Sequence, residues 1–317
     1  MINRTLIRTK VVQTLFAHYK NPDNTLLNAK KELLRSFDDV YSLYMLLLDF
    51  INEMVSQAEE KNETEKERAK ITHQTYVQNL NFINNRLASQ LFNNRQLRSF
   101  LEQNHLGWDA AHESLRLLWK EIAESEAYAE YMGIESPSYE DDKQVWRKII
   151  ATVLADNQTL EDALDELEVA LDHKSWTTDA NIVLSYIIKT IKRFKEDSGS
   201  DHRLLDMFDS EEELTFGKTL LQESINNEAE YRTLIESHLK NWDINRVAYI
   251  DLIIMQTALS ELTSFSEIPV QVTMNEYIEI AKEYSTNKSH GFINGVLDEI
   301  IKELKQQNKL IKAVSLD

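Results

Sequence analysis

Cysteine is absent from this 317-residue chain, which removes disulfides, thiolate nucleophiles and Cys-ligated zinc and fits a reducing, cytoplasmic compartment. Proline and glycine are scarce, at three and six residues, leaving few positions for the tight turns that β-hairpins need. Long apolar runs are missing too: "LYMLLLDFI" around Leu47 falls short of the roughly 18–20 residues that span a bilayer and is broken by Asp49. Basic charge is outnumbered, with 35 Lys and Arg against 53 Asp and Glu giving a net −18. That excludes a surface generally attractive to nucleic acid and confines any such site to a local patch. The absences together point to an all-α protein with no membrane-spanning segment.

What is present is helical periodicity. Residues 3–20 repeat apolar positions at Ile7, Val11 and Leu15, widened by Val12, Phe16 and Tyr19, and the cluster Asn21-Pro22-Asp23-Asn24 ends them. This basic amphipathic start lacks the long apolar centre and cleavage site of a secretory leader and reads as mature protein. A second helix is expected over about 26–55, and "EEKNETEKERAK" (59–70), with no apolar face, reads as an exposed connection or a solvated helical turn. Further helical segments cover about 75–131, 145–154, 160–171 and 182–194. The stretch 196–213, "EDSGSDHRLLDMFDSEEE", carries eight acids against Arg203 alone and is expected to be a flexible acidic linker.

Beyond it the pattern predicts helices over 216–226 and 229–239, and a third after Trp242-Asp243 with Val247, Ile250, Ile254, Ala258 and Leu262 on one side. A fourth is expected to open on a capping box formed by Thr273 and Glu276, and a fifth on Ser289 as N-cap. In that last helix Phe292, Val296 and Ile300 would line an apolar stripe, and Gly295 would let another helix backbone approach.

The chemistry-bearing motifs are few. Glu102 and His105 form the one Glu-x-x-His spacing, whereas a di-metal helical site needs two such pairs and further carboxylates. There is no G-x-x-x-x-G-K-[ST], no G-x-G-x-x-G after a strand and no H-E-x-x-H. No metal, no cofactor and no catalysis are expected. Residues 1–20, by contrast, hold Arg4, Arg8, Lys10 and Lys20 and no acid, in a chain otherwise at −22. Arg4 and Arg8 stand one helical turn apart and would project together, suited to successive phosphates of one strand. Near the other end, "NKSHG" places Lys288 at a positive helix terminus, a natural anion site, with Phe292 as a stacking face for a base.

The stretch "SHGFINGVLDEI", preceded by "IPVQVTMNEYIEIAKEYS", closely resembles the C-terminal signature of the transcription antitermination factor NusB family. The resemblance extends back through "NWDINRVAYIDLIIMQTALSEL" to about Phe216, and "RTLIRTKVVQTLF" is similar to the family's opening helix. It implies two packed helical bundles, here with an additional helical insertion. The division it suggests is an RNA-binding helix over 1–30, an insertion or enlarged N-terminal bundle over 31–213, a C-terminal bundle over 214–308 and a tail over 309–317. It further implies binding of boxA-type RNA with the ribosomal protein NusE, inside an RNA polymerase antitermination complex that reads through ribosomal RNA operons. The residues carried over are Arg4, Arg8, Gln13 and Phe16 at one end and Lys288, Ser289 and Phe292 at the other.

Two departures accompany the resemblance. Thr5 and Leu6 thin the family's arginine run, and its Arg-x-Ala-x-Tyr-Glu-Leu pattern reads here as Gln256-Thr-Ala258-Leu-Ser260-Glu261-Leu262. The competing readings are a helical protein-interaction scaffold without RNA binding and the RNA-binding module of a methyltransferase that has lost its catalytic domain.

Overall fold

The computed structural model describes residues 1–21, 23–73, 75–76, 79–239 and 244–310, and among these every regular element is helical. In chain order they are α1 (Arg4–Lys20), α2 (Leu26–Thr72), α3 (Arg86–Phe92), α4 (Arg95–Gln103), α5 (His112–Ala123), α6 (Glu126–Met132) and α7 (Tyr139–Ile149). Then come α8 (Gln158–Leu171), α9 (Trp176–Arg193), α10 (Glu211–Asn226), α11 (Glu228–His238), α12 (Tyr249–Ser264), α13 (Val270–Tyr284) and α14 (Ser289–Gln306). Pro22 of the expected turn, Trp242-Asp243 ahead of α12 and most of the expected tail lie outside the described residues. No helix among the described residues is long and apolar enough to cross a membrane.

The chain divides into two compact units, one of Met1–Phe37 with Met207–Asp317 and one of Asp38–Asp206. In the first, α12 is the hub: every residue from Asp251 to Leu262 is buried, because α1, α10, α11, α13 and α14 all pack on it. The one-sided stripe expected of α12 is therefore a full cylinder, and Val247 and Ile250 are only half-buried. α1 starts where Asn3 accepts the Leu6 N–H at 3.0 Å, an N-cap, and presses Ile7, Val11 and Leu15 into the core. It approaches α10 closely, since a Cβ at Gly217 would stand 2.9 Å from Ile7 Cγ2.

The second unit is built on the rest of α2, where Val40–Ile51 is buried without interruption. Asp49, set within that apolar run, is neutralised by Arg98 and accepts from Asn52 at 3.0 Å. Around Phe82 gather Trp119, Tyr128, Tyr131 and Trp146, ring centroids 4.9–6.5 Å away. The Tyr131 hydroxyl donates to Asp142, which also holds Arg86.

Residues 59–70 take the second of their two expected forms, a solvated helix, and continue α2, held by the pairs Lys61–Glu65, Lys66–Glu63 and Lys70–Glu67 on a surface polar all round. Four local expectations are corrected. The acidic stretch after 196 is fixed and not a free linker, because apolar anchors sit between its acids. Leu204 is buried, the Leu205 carbonyl accepts from Tyr41 at 3.1 Å, the Met207 carbonyl accepts from the Ile2 N–H at 2.8 Å, and Phe208 stands edge-on to Phe37. α13 opens at Pro269, so Thr273 lies inside it and donates its hydroxyl to buried Glu261 at 2.8 Å instead of capping. Lys288, not Ser289, occupies the N-cap of α14, since the Ser289 hydroxyl is engaged by Ser285 and Thr286. Gly295 faces open space, with nothing within 4 Å of an added Cβ, so no helix approaches there.

Candidate nucleic-acid interface

In the first unit, the start of α12 and the α13–α14 junction enclose an open cleft of about 360 Å³. Its floor is polar and internally satisfied. Asp251, 4 % exposed, accepts from the Ser285 hydroxyl, and the Ser289 hydroxyl lies 2.9 Å from that of Ser285 and 2.8 Å from that of Thr286. A hydroxyl chain thus ends on a carboxylate. The rim carries the exposed cations Arg246 and Lys288, and the half-buried Phe292 ring forms part of the wall. Lys288 also sits at the N-terminal end of an 18-residue helix, where the backbone dipole adds positive potential.

α1 reaches this region through two tyrosines. Phe16 packs at 5.9 Å against Tyr249, which directly follows the cleft residue Ala248, and the Lys20 ammonium lies 5.2 Å and 5.7 Å from those two rings. The Gln13 amide donates at 3.2 Å to the hydroxyl of Tyr284, the residue before Ser285. Burial raises the Tyr249 pKa, with Glu228 adding to the shift and Arg232 opposing it, so the phenol stays neutral at physiological pH. Charge at the rim with flat rings beside it can hold a phosphate and a base together.

The arginines of α1 stand elsewhere. Arg8 is 3 % exposed and grips Glu261 with two parallel bonds, Nε to Oε2 at 2.7 Å and Nη2 to Oε1 at 2.9 Å, while Nη1 lies 3.3 Å from Glu276. Glu261 accepts further from Thr273 and from Tyr277 at 3.2 Å. Burial works to lower the Arg8 pKa, but the Glu261 carboxylate outweighs it and the guanidinium is held above its ordinary value. The phosphate role expected for Arg8 is therefore corrected: its donors are spent on carboxylates out of solvent. Arg4 is half-buried, 3.8 Å from Glu267 and 5.0 Å above the Phe216 ring, and Lys10 is buried. Of the four cations in the first twenty residues, Lys20 alone is fully on the surface.

Gln13, Phe16, Lys288, Ser289 and Phe292 are brought to the cleft or to the tyrosines beside it; Arg4 and Arg8 are not. Sequence reading missed Arg246, Tyr249 and Lys20 as members of the surface. A signal was present in "NRVAY", a cation three positions before an aromatic at the start of a helix. The departures also find partners: the Gln256 amide donates to the Tyr19 hydroxyl and to the Ser224 carbonyl.

Fold and surface together define an all-helical chain whose first unit carries a cationic cleft walled by an aromatic ring. Residues 183–302 match the NusB family, so the chain carries a NusB family domain. The chain is 42 % identical over 97 residues to the transcription antitermination protein NusB of Salinibacter ruber, covering 31 % of this chain and 61 % of that one. It is 40 % identical over 94 residues to the NusB of Chloroherpeton thalassium (30 % and 44 %) and 43 % identical over 90 residues to that of Geobacter sulfurreducens (28 % and 65 %). It thus spans roughly half to two thirds of the length of these relatives. A solved structure of T. maritima NusB covers 56 % of this chain and all of its own, at 25 % identity and a TM-score of 0.30.

Proposed function

We propose that this protein is a transcription antitermination factor that binds boxA-type single-stranded RNA, acting with the ribosomal protein NusE in an RNA polymerase antitermination complex and catalysing no reaction itself. The observation that carries the reading is the half-buried Phe292 ring in a cleft rimmed by Arg246 and Lys288. Phe292 stacks on a base, Arg246 and Lys288 hold phosphates, Ser289 and Asp251 fix the cleft floor, and Phe16, Lys20 and Gln13 extend the surface along α1. The match of residues 183–302 to the NusB family supports this assignment.

Few phosphate contacts mean low affinity alone and tighter binding once NusE adds its own. For about two to four contacts the slope of log affinity against log salt is expected near −1.5 to −3 on a single strand. Phe292→Ala is expected to weaken boxA-type RNA binding by about 1–3 kcal/mol with the unfolding midpoint little changed. Titration of labelled RNA at two salt concentrations, with and without NusE, checks both. A flat salt dependence, no gain from the partner and no loss in Phe292→Ala would leave the helical scaffold as the better reading.

A further inference from the structure

The second unit is strongly acidic, with 32 Asp and Glu against 18 Lys and Arg between Asp38 and Asp206. Twelve of those eighteen cations lie within 4.0 Å of a carboxylate, Arg86, Arg98, Lys143 and Arg147 among them. Among the described residues six have no such partner, and four of the six are Lys189, Lys192, Arg193 and Lys195. Residues 180–195 contain no acid at all. All four cations are exposed. Lys189, Lys192 and Arg193 share one face of α9, being three and four positions apart.

A cation or two in a last helical turn is ordinary, because it complements the helix dipole. That accounts for Lys192 and Arg193. It does not account for Lys189, a turn earlier, or for Lys195, past the helix end, nor for the lack of any countercharge in a unit so rich in carboxylates. The nearby acids are occupied or turned to other tasks: Glu196 binds Arg86 at 2.8 Å, and Glu140 lies 3.0 Å from Lys143. Lys143, its charge met by Glu140, donates to the Lys192 carbonyl at 3.3 Å and so ties the end of α9 to α7 without adding to the patch. The local potential is felt by His202, stacked 3.8 Å from Phe194, whose pKa is lowered by burial and then by Arg193 and Lys195.

We propose that the exposed face of α9 formed by Lys189, Lys192 and Arg193, continued by Lys195, is a second nucleic-acid contact that holds the phosphate backbone of single-stranded RNA without reading its sequence. The chemistry of the patch selects this occupant. No large exposed apolar side chain lies between 176 and 206, so the face offers nothing to insert into a lipid surface or to bury against a protein partner. The rings closest to it are buried, as Phe194 and Tyr186 are, so it offers no stacking platform for a base. What remains is charge, which suits a polyanion gripped at its phosphates. The site adds to the RNA-binding reading of the first unit but stands on its own observation.

The test uses the full chain and two probes, a 30-nucleotide oligo(U) and a 12-nucleotide boxA-type RNA. The triple variant Lys189→Gln/Lys192→Gln/Arg193→Gln is expected to lose at least tenfold in affinity for oligo(U) at low salt. Its salt slope should flatten by about 2, as three lost single-strand contacts require, while boxA-type binding stays as in the parent. The arginine-for-lysine variant Lys189→Arg/Lys192→Arg keeps the charge and should keep the affinity. Phe292→Ala should show the converse, losing boxA-type RNA and keeping oligo(U). If the triple variant binds oligo(U) with the parent's affinity and slope, or if it loses binding to phosphatidylserine vesicles and not to oligo(U), the α9 site is refuted whatever becomes of the cleft. If Phe292→Ala alone has no effect, the cleft assignment fails and the α9 site stands.

Discussion

Arg8 shows how a residue can have the right chemistry for one task and be committed to another. A guanidinium presents a planar fork of donors, equally suited to a phosphate and to a carboxylate. Here Glu261, 253 positions away, takes two of its bonds out of solvent, and Thr273 and Tyr277 supply donors to the same carboxylate. Removing one side of such a pair leaves the other charged and buried, which typically costs about 3–5 kcal/mol. Arg8→Ala is thus expected to lower the unfolding free energy by that amount in a denaturant titration while leaving the RNA salt slope of the folded protein unchanged. A flattened slope with unaltered stability would return Arg8 to the interface. Nothing in the sequence near Arg8 announces Glu261, so a reading of α1 alone could see the charge and not its partner.

At the scale of the element, the six glycines divide sharply in what they do. Gly295, in the stretch that carries the family resemblance, meets nothing, whereas Gly217 in α10 lies hard against Ile7 of α1. A methyl group there would push on buried Ile7 and on Phe37, 3.4 Å away, with little room to give. Overpacking of this kind typically costs about 1–3 kcal/mol. Gly217→Ala is expected to destabilise the protein by that much in equilibrium unfolding, despite the better intrinsic helix propensity of alanine, and Gly295→Ala to be neutral or slightly stabilising. The reverse order would mean that α1 and α10 are not in close contact. Helices themselves were legible from period and composition, since scarce glycine and proline left little else. Their ends were not, because the Thr273 hydroxyl is drawn to Glu261 on the neighbouring helix and the Ser289 hydroxyl to Ser285 and Thr286 in the turn before it.

For the whole molecule, the all-α architecture and the resemblance of its C-terminal third could be read directly, and Lys288 and Phe292 stand together at the cleft proposed as the RNA surface. The interior of the chain could not, because an amphipathic stripe says that a face is buried without saying against what. α12 illustrates the limit, reading as one-sided and buried on all sides. The first unit is assembled from both ends of the chain, with α1 carrying Ile7, Val11 and Leu15 into the core completed by α10, α12 and α13. A fragment of residues 214–317 lacks that helix and exposes the surface it covers, so it is expected to self-associate in size-exclusion chromatography and to melt without cooperativity. A monomeric fragment with a sharp melting transition would show that α1 is dispensable for folding.

The same division of the unit sets an order of events while the chain is being made. At about 5–20 residues per second, the ribosome adds the 253 residues that separate Arg8 from Glu261 in roughly 13 to 50 seconds. Through most of that interval the residues of α1 have no α10, α12 or α13 to cover their apolar positions, and Arg8 has no Glu261, while all of residues 38–206 emerge. The nascent chain therefore has a window in which its N-terminal helix is open to chaperones and to capture by other apolar surfaces, and the window closes only when α12 and α13 arrive.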